Sequence, residues 1–227
     1  AHLYANWLEG KKPTFPALGL VVSGGHTDLV LLKDHGKIRW LGGTRDDAAG
    51  ECFDKTARVL GLPYPGGPAI AQLAGKGDPH AYDLPRPMID QANFDFSFSG
   101  LKTAVIHLVR KEKNIKQADL AASIQAAIIE VLVEKTVKAA QKYQAKSVLL
   151  AGGVAANQEL RRQVEAKLTN LFVPSPQLCT DNATYIAANA FFDFKPLTWK
   201  KIRANPSLSI EEVIKSVSYT HLTLPTN

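Results

Sequence analysis

Residues 18–42, with the sequence LGLVVSGGHTDLVLLKDHGKIRWLG, contain three short runs in which apolar residues dominate. The runs LGLVVS and DLVLLKD are typical of strands, and KIRWLG follows the turn residues Asp34, His35 and Gly36 as a third. Successive strands that are joined by short turns predict an antiparallel meander.

Strands and helices alternate in the later part of the chain. A strand SVLLA is followed by the turn Gly152–Gly153 and a helix from Asn157, and a strand LFVPS is followed by a helix from Asp181. This order of elements predicts an α/β layer in which helices pack on a sheet.

Two helices are predicted directly after the meander. Asp46 or Asp47 can cap a helix that ends at Gly61, because carboxylates favour the start of a helix and glycine its end. Pro68 suits the first turn of a second, short helix that ends near Gly75.

The segment 77–97 is rich in Pro, Asp and Asn and predicts a long ordered loop. Two helices follow it, at about 101–111 and 120–143. The second has a broad apolar face, so we expect much of it to be buried.

Composition limits the class of protein. The chain has 227 residues, 45% of them apolar and 21% charged, which permits a sizeable core and argues against disorder. No apolar run reaches the ~18 residues of a membrane span, and the first residues lack the features of a secretory signal. Cys52 and Cys179 are too few for a disulfide framework and predict a reducing, cytoplasmic compartment. The net charge of +6 permits nucleic acid as a partner, although each basic group alone is typical of a solvated helix face.

The segment VVSGGHT, residues 21–27, links the first two predicted strands. Gly24 and Gly25 allow positive φ and the close approach of an anion to backbone N–H groups, and Ser23 adds a hydroxyl. A tight hairpin explains the same glycine pair, so both interpretations are open.

Asp54 lies on the first helix after the meander, one turn after Gly50. It can be a surface charge paired with Lys55 or Arg58. Alternatively, it accepts hydrogen bonds from a ligand in a pocket that the loop glycines Gly66–Gly67 help to line.

Two residues at helix starts have a similar double interpretation. Asn157 can cap its helix or bind a nucleotide or carbonyl group, and ligands gather where strands of an open α/β sheet end. Asp181 can be an N-cap or, with His2 as its partner, a metal ligand.

Five motifs occur in order along the chain. They are SGGHT at 23–27, DDAAGECFDKTARVLGLPYPGGP at 46–68, FSFSGLKT at 96–103, LAGGVAAN at 150–157 and CTDNA at 179–183. Their order and spacing resemble those of the TsaD family of bacteria and its archaeal and eukaryotic counterparts. The resemblance extends from Ala1 to about Ser216.

The resemblance implies an α/β fold of the actin-like class (ASKHA, ribonuclease H-like), built from two related halves with a divalent metal and a nucleotide-type ligand between them. It implies a tRNA N6-adenosine threonylcarbamoyltransferase, which transfers the threonylcarbamoyl group from threonylcarbamoyl-AMP to N6 of the adenosine 3′ of the anticodon. The tRNAs concerned read ANN codons, and the product is t6A. Residues 1–216 would form a partial domain that lacks the N-terminal portion of this fold. The uncharged tail at 217–227, VSYTHLTLPTN, is expected to be non-native.

For the metal, the resemblance implies iron(II), with zinc as the alternative. The family holds it with a His-x-x-x-His pair and one aspartate. His2 corresponds to the second histidine and Asp181 to the aspartate, and both are the predicted catalytic residues. The first histidine would precede Ala1.

For the substrate, the resemblance implies a site that includes the strand end before the first glycine turn. The residues that correspond to the family's substrate contacts are Val21, Val22, Ser23, Gly24, Gly25, Asp54, Gly67 and Asn157. Ala71 stands where many relatives have a polar or acidic contact, which puts that contact in doubt.

The implied partners are tRNA, threonylcarbamoyl-AMP, a TsaB-like scaffold subunit and a TsaE-like ATPase subunit, with no membrane. Two of three expected metal ligands make a weak, open site, so inactivity of this chain alone is among the expected outcomes.

Three other functions are compatible with parts of this pattern. A metallopeptidase (glycoprotease) lacks support because the six histidines form no His-Glu-x-x-His motif. An actin-like ATPase or sugar kinase shares the fold class, and fold does not decide function. A non-catalytic scaffold paralogue would lack the metal ligands, whereas His2 and Asp181 are both present.

Overall fold

A five-stranded mixed sheet forms the centre of the computed structural model, which describes residues 1–194 together with 196, 198 and 200. Its strands are β1 (Ala17–Val22), β2 (Thr27–Asp34), β3 (Lys37–Gly43), β4 (Ser147–Ala151) and β5 (Leu171–Phe172). They are arranged in the order β3-β2-β1-β4-β5. The first three pair antiparallel, which confirms the predicted meander. β4 pairs parallel with β1, and β5 pairs parallel with β4.

Helices pack on both faces of the sheet, as the alternating pattern predicts. The α-helices of the described chain are α1 (Ala49–Val59), α2 (Gly66–Ala74), α3 (Ser99–Lys111), α4 (Gln117–Lys142), α5 (Gln158–Lys167), α6 (Pro176–Cys179) and α7 (Ala183–Phe192). Short 3-10 helices cover His2–Trp7 and Gly153–Ala156. The α4 helix is buried along most of its length, which confirms that prediction.

Two separate apolar cores result from the alternation of side chains along the strands. One core lies between the helices α1, α2, α3 and α4 and the face of β1 that carries Leu18 and Leu20. The other lies on the opposite face, where Leu3 and Trp7 of the first 3-10 helix pack against the sheet together with α7. The second core therefore fixes the beginning of the chain next to its last described helix.

The carboxyl ends of β1 and β4 meet at one edge of the sheet, where Val21 is the register partner of Ala151. Gly152 follows β4 with a φ of +90°, and a Cβ there would lie 2.3 Å from the carbonyl oxygen of Val22. Glycine is therefore required at this point, because it allows the two strand ends to come this close.

The start of α1 differs from the prediction. Neither Asp46 nor Asp47 caps it; the Ala49 N–H group instead donates to Oγ1 of Thr27 at 2.8 Å. A threonine at the start of β2 thus satisfies one of the amides that a helix leaves unpaired at its N-terminus.

The two aspartates have other partners, which explains why they do not cap α1. Asp46 Oδ1 accepts a hydrogen bond from the amide of Phe98 at 2.8 Å, at the start of α3. Asp47 forms ion pairs with Lys55 and Lys102 at 2.7 and 3.0 Å. Both carboxylates therefore join α1 and α3.

The start of α7 and the end of β5 also differ from the predictions. Asn182, not Asp181, caps the last helix, and its Oδ1 accepts from the amide of Tyr185 at 3.1 Å. The strand predicted from LFVPS ends after Phe172, since Pro174 has no N–H group to donate to a neighbouring strand.

The long segment between α2 and α3 is a loop without helices, and its Phe96 forms an isolated bridge with Thr44, directly after β3. Two contacts with α4 help to order it. Lys135 Nζ donates to the carbonyl oxygen of Asn93 at 2.9 Å, and Arg86 of the loop pairs with Glu130 at 2.7 Å. The prediction of a long ordered loop is confirmed.

Residues 1–195 form one compact unit. The predicted tail at 217–227 lies outside the described residues. Within the described part of the chain, no helix combines the length and the apolar character that a bilayer crossing needs.

Candidate active site

A cavity of about 1090 Å³ opens at the edge of the sheet where β1 and β4 end. Four of the predicted substrate residues line it, namely Gly24, Asp54, Gly67 and Asn157. Ala71 lines it as well, so a methyl group faces the cavity where many relatives have a polar contact. These residues come from four different segments, and the fold brings them to one place.

The turn between β1 and β2 is the tight hairpin that was one interpretation of its glycines. Ser23 Oγ accepts from the amides of Gly25 and His26 at 3.3 and 3.1 Å. Neither Gly24 nor Gly25 adopts the positive φ that glycine allows. Glycine is needed instead at Gly50, where a Cβ would lie 2.5 Å from the Ser23 carbonyl oxygen.

Other residues of the predicted substrate segment lie outside the cavity lining. Val21 and Val22 are buried in β1, and their side chains belong to the cores on opposite faces of the sheet. Ser23 and Gly25 shape the turn, which leaves Gly24 as the member of this segment that lines the cavity.

Asp54 organises the loop that precedes α2. Its Oδ1 accepts from the amide of Gly66 at 2.7 Å. Lys55 pairs instead with Asp47 and Glu51, and no ion pair of Asp54 occurs among the described residues. The interpretation of Asp54 as a paired surface charge is therefore wrong, and the carboxylate lies at the cavity.

Asn157 caps α5, as one of its two interpretations predicted. Its Oδ1 accepts from the amides of Glu159 and Leu160 at 3.0 and 3.1 Å. Its Nδ2 donates to Oε1 of Gln125 at 2.9 Å. Since Asn157 also lines the cavity, capping and ligand binding are compatible.

His2 and Asp181 come together from distant parts of the sequence. His2 Nε2 lies 3.5 Å from Asp181 Oδ1, and the Asp181 side chain is 95% exposed. The packing of the first 3-10 helix against α7 produces this approach. Asp181 directly follows Thr180, which lines the cavity, whereas neither Asp181 nor His2 is itself part of the lining.

Tyr185 contacts both members of this pair, and sequence reasoning missed it. The Tyr185 hydroxyl donates to Asp181 Oδ1 at 2.9 Å, and its ring lies 4.8 Å from that of His2. Burial lowers the pKa of the His2 imidazole, the Asp181 carboxylate partly offsets this, and His26 adds to the lowering. No local pattern in the sequence indicated Tyr185, because Asp181 lies before the helix that carries it.

The donor set is consistent with part of a metal site. His2 Nδ1 is buried and has no hydrogen-bond partner, and Nε2 faces a carboxylate. Within the residues that the structure describes, no three His, Cys, Asp or Glu side chains form a group that could hold a metal. The described chain therefore offers two candidate ligands, His2 and Asp181.

Comparison with known proteins identifies the family of the chain. A family model described as TsaD, tRNA N6-adenosine threonylcarbamoyltransferase, matches residues 1–188. The chain belongs to the TsaD family.

Several relatives named tRNA N6-adenosine threonylcarbamoyltransferase are similar to this chain. The protein of Syntrophomonas wolfei is 54% identical over 220 residues, which cover 91% of this chain and 64% of the relative. That of Moorella thermoacetica is 52% identical over 214 residues, covering 88% and 63%. That of Dehalococcoides mccartyi strain BAV1 is 55% identical over 194 residues, covering 85% and 59%. The chain thus spans about three fifths of the length of these relatives.

Membership of the TsaD family confirms the predicted actin-like fold class. The described chain accounts for one α/β layer of it, with a mixed five-stranded sheet between helices. The cavity and the His2–Asp181 pair both lie at the carboxyl edge of its parallel strands, where ligands of open α/β sheets bind.

Proposed function

We propose that the protein containing this chain transfers the threonylcarbamoyl group from threonylcarbamoyl-AMP to N6 of an adenosine in tRNA, 3′ of the anticodon, and so forms t6A. The observation that carries this proposal is the approach of His2 to Asp181, the residue that follows Thr180 in the lining of a cavity that also contains Gly24, Asp54 and Asn157. The names of the TsaD family and of the relatives support the reaction.

The cavity suits a nucleotide-type donor. Its volume of about 1090 Å³ is at the upper end for pockets that enclose a small ligand. The Gly24 amide has no acceptor among the described residues and can donate to an anionic or carbonyl oxygen. The Asp54 carboxylate can accept from ribose hydroxyls, since only its Oδ1 is engaged within the described chain.

A divalent cation, iron(II) or alternatively zinc, is part of the proposal. His2 and Asp181 would hold it, and a further ligand would come from outside the described residues. When bound, such a cation supplies Lewis acidity that polarises donor oxygens. The Tyr185 hydroxyl keeps the carboxylate of Asp181 turned towards His2, which prepares both ligands.

The residues of this chain contribute chiefly by positioning. Adenine N6 is a weak nucleophile because its lone pair is delocalised into the ring, so alignment with the carbamoyl carbon matters more than strong basicity. The donor already carries AMP as a good leaving group. Asp54, Gly24 and Asn157 surround the space in which the donor would be fixed.

The acceptor would approach across an open side of the cavity. Tyr64 lines the cavity and is 83% exposed, which suits stacking against an unstacked base of an RNA loop. The net charge of +6 favours a polyanionic partner. A TsaB-like scaffold, a TsaE-like ATPase and a cytoplasmic location belong to the same proposal.

The test is a transfer assay with the full-length protein, tRNA and freshly made threonylcarbamoyl-AMP, with t6A measured by mass spectrometry of nucleosides. We expect Asp181→Ala to lower the rate by more than about a hundredfold, since loss of a mere outer partner of a metal already costs up to that much. Asp90→Ala, at an exposed loop position, is the matched control and should keep the rate.

Full transferase activity of Asp181→Ala with an unchanged melting temperature would overturn the role of the His2–Asp181 pair in the reaction. A protein that phosphorylates small molecules with ATP and leaves tRNA unmodified would overturn the transferase function itself.

A further inference from the structure

Gln125 interrupts an otherwise apolar stretch of α4. Its neighbours Ile124 and Ala126 are buried, and Gln125 itself is half-buried and lines the cavity. A glutamine in such a place needs partners for its amide, because an unpaired buried amide is costly. The nature of these partners fixes which of its two polar atoms faces the cavity.

The cap of α5 determines the orientation of the neighbouring amide. Asn157 accepts two backbone N–H groups, from Glu159 and Leu160, and only an oxygen can accept them. The amide of Asn157 therefore cannot be flipped, and its NH₂ group faces Gln125.

The same logic then determines the orientation of Gln125. The atom of Gln125 at 2.9 Å from Asn157 Nδ2 has to be an acceptor, which is Oε1. The Gln125 Nε2 group therefore points away from Asn157. It has no hydrogen-bond partner among the described residues, and it is not one of their buried unpaired atoms.

We propose that Gln125 is a ligand-binding residue of this cavity, whose Nε2–H groups donate to a neutral acceptor of an adenine nucleotide, such as a ring nitrogen or a hydroxyl or carbonyl oxygen. The identity of the ligand class rests on the proposed function. The direction of the hydrogen bond rests only on the chain of amide contacts from α5 through Asn157 to Gln125.

The alternative is that Gln125 only joins α4 to α5. Gln125→Glu separates the two roles, because a carboxylate still accepts from Asn157 Nδ2 but presents an acceptor, not a donor, to the cavity. Gln141→Glu is the matched control, since it makes the same chemical change at an exposed position near the other end of α4.

The experiment uses the full-length protein and AMP as the probe, with calorimetry for binding and thermal unfolding for stability. We expect Gln125→Glu to weaken AMP binding about tenfold or more. The variant loses the hydrogen bond from Nε2 and places a carboxylate oxygen next to an acceptor atom of AMP, and the two acceptors repel each other. Its melting temperature should stay within the range of the control. AMP binding equal to that of Gln141→Glu would overturn the proposal.

A second measurement does not depend on the variant folding. In the unmodified protein labelled with ¹⁵N and ¹³C, the Gln125 side-chain NH₂ signals, assigned through their correlation with the Gln125 backbone, should shift when AMP is added. Signals that stay in place at saturating AMP would contradict the proposal. If tRNA is modified but these signals do not move, only the inference fails; if they move but no t6A forms, only the proposed function fails.

Discussion

Oδ1 of Asp46 accepts a hydrogen bond from the amide of Phe98 at 2.8 Å, and the next amide, that of Ser99, lies 3.2 Å from the same oxygen. The carboxylate at the start of α1 thereby caps α3. Its second oxygen accepts from the Ser97 hydroxyl at 2.6 Å. This one side chain holds the beginning of α3 against the helix that carries Asp54.

Removing this cap should destabilise the protein. We expect Asp46→Ala to lower the free energy of unfolding by about 1–2 kcal/mol, the usual effect of losing a capping side chain. Chemical denaturation of the full-length protein measures it, with Asp90→Ala as the control. An equal stability of the two variants would show that the amides of Phe98 and Ser99 find other acceptors.

Gly152 should tolerate no side chain. Its φ of +90° and the 2.3 Å from a would-be Cβ to the Val22 carbonyl oxygen predict that Gly152→Ala costs roughly 2–4 kcal/mol. Gly153→Ala is the matched control, because a Cβ there meets nothing within 4 Å. Denaturation curves of the two variants should differ clearly, and similar midpoints would contradict the close approach of the strand ends.

Local patterns were enough to predict the strands of the meander and the buried helix α4, because period and apolar content are visible within a few residues. The same patterns allowed for Asn157 as the cap of α5 but failed for the caps of α1 and α7. The partner of Asp46 is Phe98, far along the sequence, and its preference for that partner is decided by tertiary packing.

In the candidate site, too, some residues are indicated by a local motif and others only by tertiary contacts. The motifs indicated Asp54 and Asn157 as site residues, and both line the cavity. Gln125 and Tyr185 had no local signature, since a single glutamine or tyrosine on an apolar helix is common in cores. Their contacts to Asn157 and Asp181 exist only once α4, α5 and α7 are assembled.

Asp47 should make the stability of the protein depend on pH. Burial raises the pKa of its carboxyl, but the ion pairs with Lys55 and Lys102 outweigh this and hold the pKa below its usual 3.8. A group with a lowered pKa stabilises the folded state above 3.8 and loses that effect as the pH falls through its folded pKa. The melting temperature of the unmodified protein should therefore exceed that of Asp47→Asn near neutral pH, and the gap should shrink below pH 3.8.

Thermal unfolding between pH 7 and pH 3 provides this measurement. Repeating it at high salt is the control, because screening should narrow the gap near neutral pH if ion pairs cause it. A gap that stays constant down to the lowest pH would mean that Asp47 acts through its shape and not through its charge.

Tyr185 should act on the His2–Asp181 pair through its hydroxyl alone. Tyr185→Phe keeps the ring that packs 4.8 Å from His2 and removes the hydrogen bond to Asp181 Oδ1. Loss of an outer partner of a metal ligand lowers metal affinity by about 10–100-fold, so we expect a drop of that order for iron(II) or zinc in the full-length protein. Competition with a chelator measures the affinity without any assay of transfer.

Tyr143→Phe is the control for removing a phenolic hydroxyl, since it lies at the end of α4 and outside the cavity lining. Its metal affinity should equal that of the unmodified protein. If Tyr185→Phe also keeps its affinity, the Asp181 carboxylate needs no support from this hydroxyl. If it loses affinity together with its melting temperature, the hydroxyl matters for folding of α7, and a Tyr185→His variant, which restores a donor on a ring, should then recover both.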